Sequence, residues 1–290
     1  MELRQLEYVL AVVDAGGFTR AAHALAVTQP SLSQGIRTLE RELGVELFHR
    51  LGRTVTLTSA GEAFVGPARE TVHAAAAARD AVAAVTEVLT GTLDLVALPT
   101  LAAEPLAPLV GRFRGAYPGV RVRVAEPEDG VEVAALVRSG RAEVGLADAG
   151  AGGDDLVAYP LLTQEILAVG PPGTHWPRAG VSIAEIVASP LVATPPGTST
   201  RRLLDEAVTA AGVEPVLAVE LSQRDAIVPL VLAGAGHALL PAPLADDAAA
   251  RGAVIARLDP PITRVIALLH RSGTLSPAAH AFLRVATADT

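Results

Sequence analysis

Residues 18–50 read FTRAAHALAVTQPSLSQGIRTLERELGVELFHR, and this stretch constrains the fold of the chain more than any other. It predicts a short Ala-rich helix, a tight turn, and a second helix opening Thr-Gln-Pro-Ser. Thr28 is placed to cap that second helix, and Pro30 fits its first turn, where a missing N–H costs nothing. Leu32, Ile36 and Leu39 then share a buried face, while Ser31, Ser33, Gln34 and Arg37 fall on or beside the exposed one. The preceding helix closes on them with Phe18, Ala21, Ala22 and Leu25, whose small residues permit close packing. Upstream, Leu3, Leu6, Leu10 and Val13 recur at helical spacing, so a helix over 2–15 packs beneath the pair until Gly16-Gly17 ends it. Gly35 stands inside the second helix, where Gly costs about 1 kcal/mol relative to Ala. It predicts either a loosened helix or a backbone that approaches DNA closely.

Two helices joined this way form a helix-turn-helix, whose second helix enters the major groove with its N-terminal side chains at base edges. The candidate DNA contacts are Thr28, Gln29, Pro30, Ser31, Ser33, Gln34 and Arg37. A hairpin over 50–58, with Leu51-Gly52-Arg53 at its tip, reads as a wing, and Arg53 would reach the minor groove or its phosphates. From Ser59 to Leu89 one helix of roughly 30 residues is expected, ~45 Å long. Ser59 caps it with Glu62 three residues on, and Pro67 should kink it. Apolar residues recur along it at three- and four-residue steps. Phe64, Val72, Val82, Val85 and Leu89 are the candidate dimerisation seam, the alternative being a helix that lies on its own domain.

Gly91 marks a boundary, beyond which β-rich runs alternate with amphipathic stretches. Strands are expected at Leu93–Leu98, Val120–Val124, Val144–Ala147, Ile166–Val169, Leu191–Ala193, Val216–Leu221, Ala238–Leu240 and Val265–Leu269, with helices between them. Such alternation builds open, mostly parallel α/β sheets, here as two lobes with a ligand cleft at the strand C-termini. Thr100 follows the first of these strands, and Thr198, Ser199, Thr200 and Arg201 occupy the matching place in the second lobe. Hydroxyls at helix N-termini suit a carboxylate or similar anion, although each could simply cap its helix. Gln223 is a further candidate. Trp176, the only Trp, either rims the cleft or covers a core.

The chain resembles the LysR-type transcriptional regulators. The resemblance is carried by Phe18, Ala21-Ala22, Leu25, Gln29-Pro30-Ser31, Ser33, Ile36, Leu39-Glu40, Leu43-Gly44, Leu47-Phe48, Arg50, Arg53, Leu57-Thr58 and Ala60-Gly61. It implies an α-rich winged helix-turn-helix over 1–58, a linker and dimerisation helix over 59–89, and an effector domain over 91–290. That last domain would be two-lobed and periplasmic-binding-protein-like, with lobe one about 91–160 and 268–290 and lobe two about 161–267. The implied function is sequence-specific DNA binding, modulated by a small-molecule effector, in a homodimer or homotetramer, with RNA polymerase as a further candidate partner. The family's effector contact after the first strand favours Thr100. A second family hydroxyl is replaced by Asp129-Gly130, which departs from the pattern for an aromatic or simple carboxylate effector.

Composition sets limits on both readings. The chain of 290 residues has net charge −8, but the six Arg and six Asp or Glu of residues 1–58 cancel, so the negative excess lies downstream. A DNA interface here would rest on few phosphate contacts and on dimer avidity. All 23 basic residues are Arg and there is no Cys, which removes lysine Schiff bases, thiol nucleophiles and disulfides. The seven His are scattered without metal-ligand spacing, Gly234-Ala-Gly236 lacks the third Gly of a dinucleotide fingerprint, and no Gly-x-Ser-x-Gly elbow occurs. No enzyme activity and no cofactor are expected. No run is long and apolar enough for a membrane span, and the N-terminus lacks a secretory plan, so a cytoplasmic protein is expected. The alternative is a solute-binding protein without a regulatory role.

Overall fold

In the computed structural model, three helices build the first core: α1 (Leu3–Ala15), α2 (Phe18–Ala24) and α3 (Gln29–Leu43). The structure describes residues 1–51, 54–85, 89–177, 179–273 and 275–288, with the backbone alone at 50–51, 54, 73, 77 and 79–85. Leu6, Val9 and Leu10 of α1 close against Ala21 and Ala22 of α2 and against Leu32, Ile36 and Leu39 of α3, all buried. Each fully buried aliphatic side chain of this kind contributes ~1.5–3 kcal/mol. Leu25 differs from expectation: it is 37% exposed, because α2 ends at Ala24 and the chain turns outward there.

Gly35 neither loosens α3 nor faces outward. A Cβ at this position would sit 2.8 Å from the Tyr8 ring, so the missing side chain is what lets α1 pack against α3. The wing is an antiparallel hairpin of β1 (Phe48–Leu51) and β2 (Thr54–Leu57), anchored by buried Phe48. Glu40, buried in α3, accepts the Leu47 N–H at 2.9 Å and so fixes where the wing begins.

Helix α4 (Ser59–Val85) follows. Thr58, rather than Ser59, holds its first turn: the Thr58 hydroxyl accepts the Gly61 N–H at 3.0 Å and donates to the Glu46 carbonyl at 2.7 Å. The expected capping box starts one residue too late, because Ser59 is already helical. The helix runs on through Pro67. Ala60, Phe64, Ala68 and Val72 pack on the core of their own chain, with Phe64 and Val72, two residues of the candidate seam, only half-buried there. The side chains of Val82 and Val85 lie outside the described residues.

Beyond α4 stands a six-stranded sheet of order β4-β3-β5-β10-β6-β9. Lobe one contributes β3 (Gly91–Ala97), α5 (Ala107–Ala116), β4 (Val120–Ala125), α6 (Gly130–Arg138) and β5 (Val144–Asp148). The chain then enters β6 (Leu156–Gly170) and passes through α7 (Ile183–Val187), β7 (Leu191–Ala193), α8 (Ser199–Ala211), β8 (Leu217–Glu220), α9 (Ile227–Leu232), β9 (Ala238–Pro241) and α10 (Ala242–Ala250). It returns along β10 (Val254–Arg271) to α11 (Pro277–Thr287), which packs on lobe one.

The expected mostly parallel sheet is corrected to a mixed one. β3 pairs in parallel with β4 and β5, and β7 with β8, whereas β10 runs antiparallel to β5 and β6, and β6 antiparallel to β9. The cause is that β6 and β10 are far longer than their apolar runs suggest and pass in opposite directions between the lobes. Each takes part in both halves: Leu162 and Ile266 pack with the lobe-one core, while Ile166 and Ile262 pack with the lobe-two core. Leu89, expected in the seam, instead packs against the lobe-one core. Among the described residues no helix is long and apolar enough to cross a membrane.

Candidate functional site

Helix α3 presents the first candidate surface. Thr28 caps it, its Oγ1 accepting the Ser31 N–H at 3.3 Å and lying 2.8 Å from the Ser31 hydroxyl. Gln29, Pro30, Ser31, Gln34 and Arg37 are exposed, and Ser33 is half-buried, so the expected residues share one open face at the helix N-terminus. The buried Leu32, Ile36 and Leu39 hold the opposite face, which leaves these polar groups free to meet base edges. Arg53 lies outside the described residues.

The second candidate surface is where the strand ends of the two lobes face one another. Three contacts bridge them: the Ser199 N–H donates to the Glu128 carbonyl at 3.1 Å, Arg224 pairs with Glu128 at 2.5 Å, and Arg202 pairs with Asp148 at 3.0 Å. Between them a cavity of about 650 Å³ is lined by Thr100 and Thr200 from opposite lobes, with Ile227, Val228, Leu240 and Leu244 as its apolar wall. A second opening, about 1020 Å³, lies on the side of Asp129, Asp148 and Arg202.

Thr100 sits in the turn Pro99–Leu101 after β3 and is buried. Its Oγ1 accepts a hydrogen bond from Arg264 at 3.0 Å, so it is already engaged with the floor of the cleft. Arg264 also donates to Gln164 Oε1 from Nε at 2.9 Å and from Nη2 at 2.6 Å. Gln164 and Arg264 are cross-strand partners on β6 and β10, at the place where both strands change lobes. The Arg264 side chain is only 4% exposed, and burial pushes its pKa down against the opposing charge of Asp148 at 3.6 Å.

The four neighbouring candidates on α8 divide. Thr198 is a cap: its Oγ1 accepts the Arg201 N–H at 3.3 Å and contacts the Thr194 hydroxyl at 2.6 Å. Ser199 and Thr200 are buried, and among the described residues neither hydroxyl has a hydrogen-bond partner. Arg201 is corrected from a ligand candidate to a tie within its lobe, bonded to Asp205 and Glu220 at 2.9 Å each and to the Thr194 carbonyl at 3.1 Å. Gln223 is exposed and precedes the turn that places Arg224 in the cavity lining, and Gln223 itself is not among the residues that line that cavity. Trp176 covers a core, edge-on to buried His237 at 5.1 Å.

Arg264, Gln164, Arg224 and Glu128 were missed in the sequence. The signal for the first two was parity. Along a strand, Arg264 shares a face with Ile262 and Ile266, and Gln164 shares one with Leu162 and Ile166. A polar residue on the inward face of an apolar strand marks a buried polar layer.

Residues 3–62 match the model of the bacterial regulatory helix-turn-helix protein, lysR family, and residues 86–290 match that of the LysR substrate binding domain. The chain is similar to the HTH-type transcriptional regulator IlvR of Caulobacter vibrioides, 32% identical over 100% of this chain and 98% of that protein. It is also similar to the HTH-type transcriptional regulator BudR of Raoultella terrigena, 33% identical over 83% of this chain and 84% of that one. Among solved structures, full-length OxyR of Pseudomonas aeruginosa aligns with TM-score 0.79 at 24% identity, covering 99% of this chain and 93% of that one. Full-length CbnR complexed with its target DNA aligns with TM-score 0.63 at 23% identity over 100% of both chains. A solute-binding protein without a regulatory role is not supported, since the match to a regulator extends through the N-terminal helices. The chain belongs to the LysR family, and it is a DNA-binding transcriptional regulator that carries an effector-binding domain.

Proposed function

We propose that this regulator is switched by a small organic anion held where β3, α8 and β10 meet. The observation that carries the reading is a set of buried polar groups without hydrogen-bond partners among the described residues: Ser199 Oγ, Thr200 Oγ1 and Arg264 Nη1. An unmet buried polar group costs about 1–3 kcal/mol, so each favours a ligand that meets it, and Thr200 lines the cleft cavity itself. All three can donate, and one is a guanidinium, which suits the oxygens of a carboxylate or a related anion. Asp148 Oδ1, also unpartnered, lies 3.6 Å from Arg264 Nη1 and offsets part of its charge, so a single negative charge fits better than several.

In this reading residues 1–58 bind DNA, 59–89 link, and the lobes (about 91–160 with 268–290, and about 161–267) close on the effector. Closure shifts an existing equilibrium by the ligand's differential affinity for the two states. The protein acts by binding rather than catalysis, in the cytoplasm, as a homodimer or homotetramer, with RNA polymerase as a further partner. The helix seam of that assembly would run along α4.

The test is a thermal-shift screen of the full chain against small carboxylates and neutral molecules of matched shape, repeated with Thr200→Val. Carboxylates should raise the Tm of the parent and raise that of the variant less. Stabilisation by neutral molecules alone would overturn the anion reading.

A further inference from the structure

We propose that the effector bears an ammonium group as well as its anionic head. The proposal rests on the reading above that the cleft takes a carboxylate, and it concerns the rest of the same molecule. Around the 650 Å³ cavity stand four carboxylates, Glu126, Glu128, Asp225 and Asp247, against two guanidinium groups, Arg224 and Arg251. Both guanidinium groups are matched: Arg224 pairs with Glu128 at 2.5 Å and Arg251 with Asp247 at 3.3 Å. That leaves Glu126 and Asp225, both exposed and with no ion-pair partner among the described residues.

A plain anion entering this cavity would meet two uncompensated negative charges. A molecule that adds a cation meets them favourably, since like charges disfavour the wrong ligand as opposite ones favour the right one. The acidic rim is not the only pointer to a ligand. Thr200 lines the same cavity, is only 8% exposed, and its hydroxyl has no partner among the described residues. Between floor and rim, Ile227, Val228, Leu240 and Leu244 offer an aliphatic wall for a carbon chain. Donors at the floor, an apolar wall and free carboxylates at the rim together describe an aliphatic amino acid whose amine lies at the end of the chain remote from its carboxylate.

Four probes of one six-carbon skeleton test this by calorimetry on the full chain: hexanoate, 2-aminohexanoate, 6-aminohexanoate and hexylamine. 6-Aminohexanoate should bind tenfold or more tighter than hexanoate and tighter than 2-aminohexanoate. Glu126→Gln combined with Asp225→Asn should reduce that advantage below threefold, and hexanoate should bind no more weakly than to the parent, because the variant loses two negative charges and no donor. If hexanoate binds the parent as tightly as 6-aminohexanoate, the ammonium proposal fails while the anion reading stands. An advantage that survives in the double variant also overturns it, because the rim would then not be its source. If no carboxylate binds, or hexylamine alone does, the anion reading and this proposal fall together.

Discussion

Arg69 of α4 donates from both terminal nitrogens to the carboxylate of Asp14, at 3.0 and 2.8 Å, and so ties the linker helix to the last turn of α1. Arg141, from the loop after α6 in lobe one, approaches the same carboxylate at 3.5 Å. Asp14 therefore stands between the DNA-binding helices and the effector domain. The close passage of Arg69 by Gly140 strengthens the junction, since a Cβ on that glycine would lie 3.0 Å from Arg69 Cδ.

The two halves of this pair should not be equal. Arg69 is buried, its side chain 8% exposed, whereas Asp14 is 39% exposed. Asp14→Ala leaves a buried guanidinium unmatched and should cost about 1–3 kcal/mol. Arg69→Met leaves a carboxylate that water can reach and fills the space with apolar atoms, so it should cost less. Urea denaturation of both variants decides it, and an equal or reversed order would mean that Arg69 is less buried than the geometry states.

Glycine substitutions in two helices should have opposite signs. A Cβ at Gly111 in α5 would meet nothing within 4 Å, so Gly111→Ala should gain up to about 1 kcal/mol of helix stability. Gly35→Ala has the same propensity gain, but its Cβ meets the buried Tyr8 ring at 2.8 and 2.9 Å. Forcing a methyl into a filled space costs about 1–3 kcal/mol, so the net change should be destabilising. Thermal melts showing both variants stabilised would remove the packing role assigned to Gly35.

The helix-turn-helix was legible because its signals are local: a hydroxyl cap, Pro in the first turn, and apolar residues at helical spacing. What escaped was long-range. Nothing in the neighbourhood of Val254 or Leu156 shows that these residues begin strands of 18 and 15 residues, because Pro160, Pro260 and Pro261 interrupt the apolar pattern. The pairing across those interruptions is supplied by the partner strand. Ser199 and Thr200 were found as hydroxyls at a helix start, yet the same pattern flagged Thr198, which caps the helix, and Arg201, which is bound within its lobe. Sequence places a hydroxyl at a terminus. Only the fold says whether a backbone N–H has already taken it.

On α3, Gln29 is exposed at the first turn, in position to reach a base edge, and Arg37 lies two turns further on. Gln29→Ala should therefore relax discrimination between operator and random DNA by about 1–3 kcal/mol. Arg37→Ala, further from the helix N-terminus, should weaken both about equally and lower the salt dependence of binding. Titrations of operator and scrambled duplexes at two salt concentrations distinguish these, and the opposite assignment would mean that α3 enters the groove in a different register.

Neighbouring threonines on α8 should also part company. Thr198 Oγ1 accepts the Arg201 N–H and contacts the Thr194 hydroxyl, so Thr198→Val strips a helix cap and should cost about 1 kcal/mol without ligand. Thr200 Oγ1 is buried with no partner among the described residues, so Thr200→Val removes an unmet polar group at constant shape. The ligand-free variant should then be as stable as the parent or more so, while its response to a carboxylate that stabilises the parent falls. Thr100→Val should behave differently again, because it deprives Arg264 of an acceptor and so lowers stability even before ligand is added. Melting all three variants with and without such a carboxylate separates the roles. If Thr200→Val destabilised the ligand-free protein as much as Thr198→Val, its hydroxyl would be a structural group and the floor of the site would have to be drawn without it.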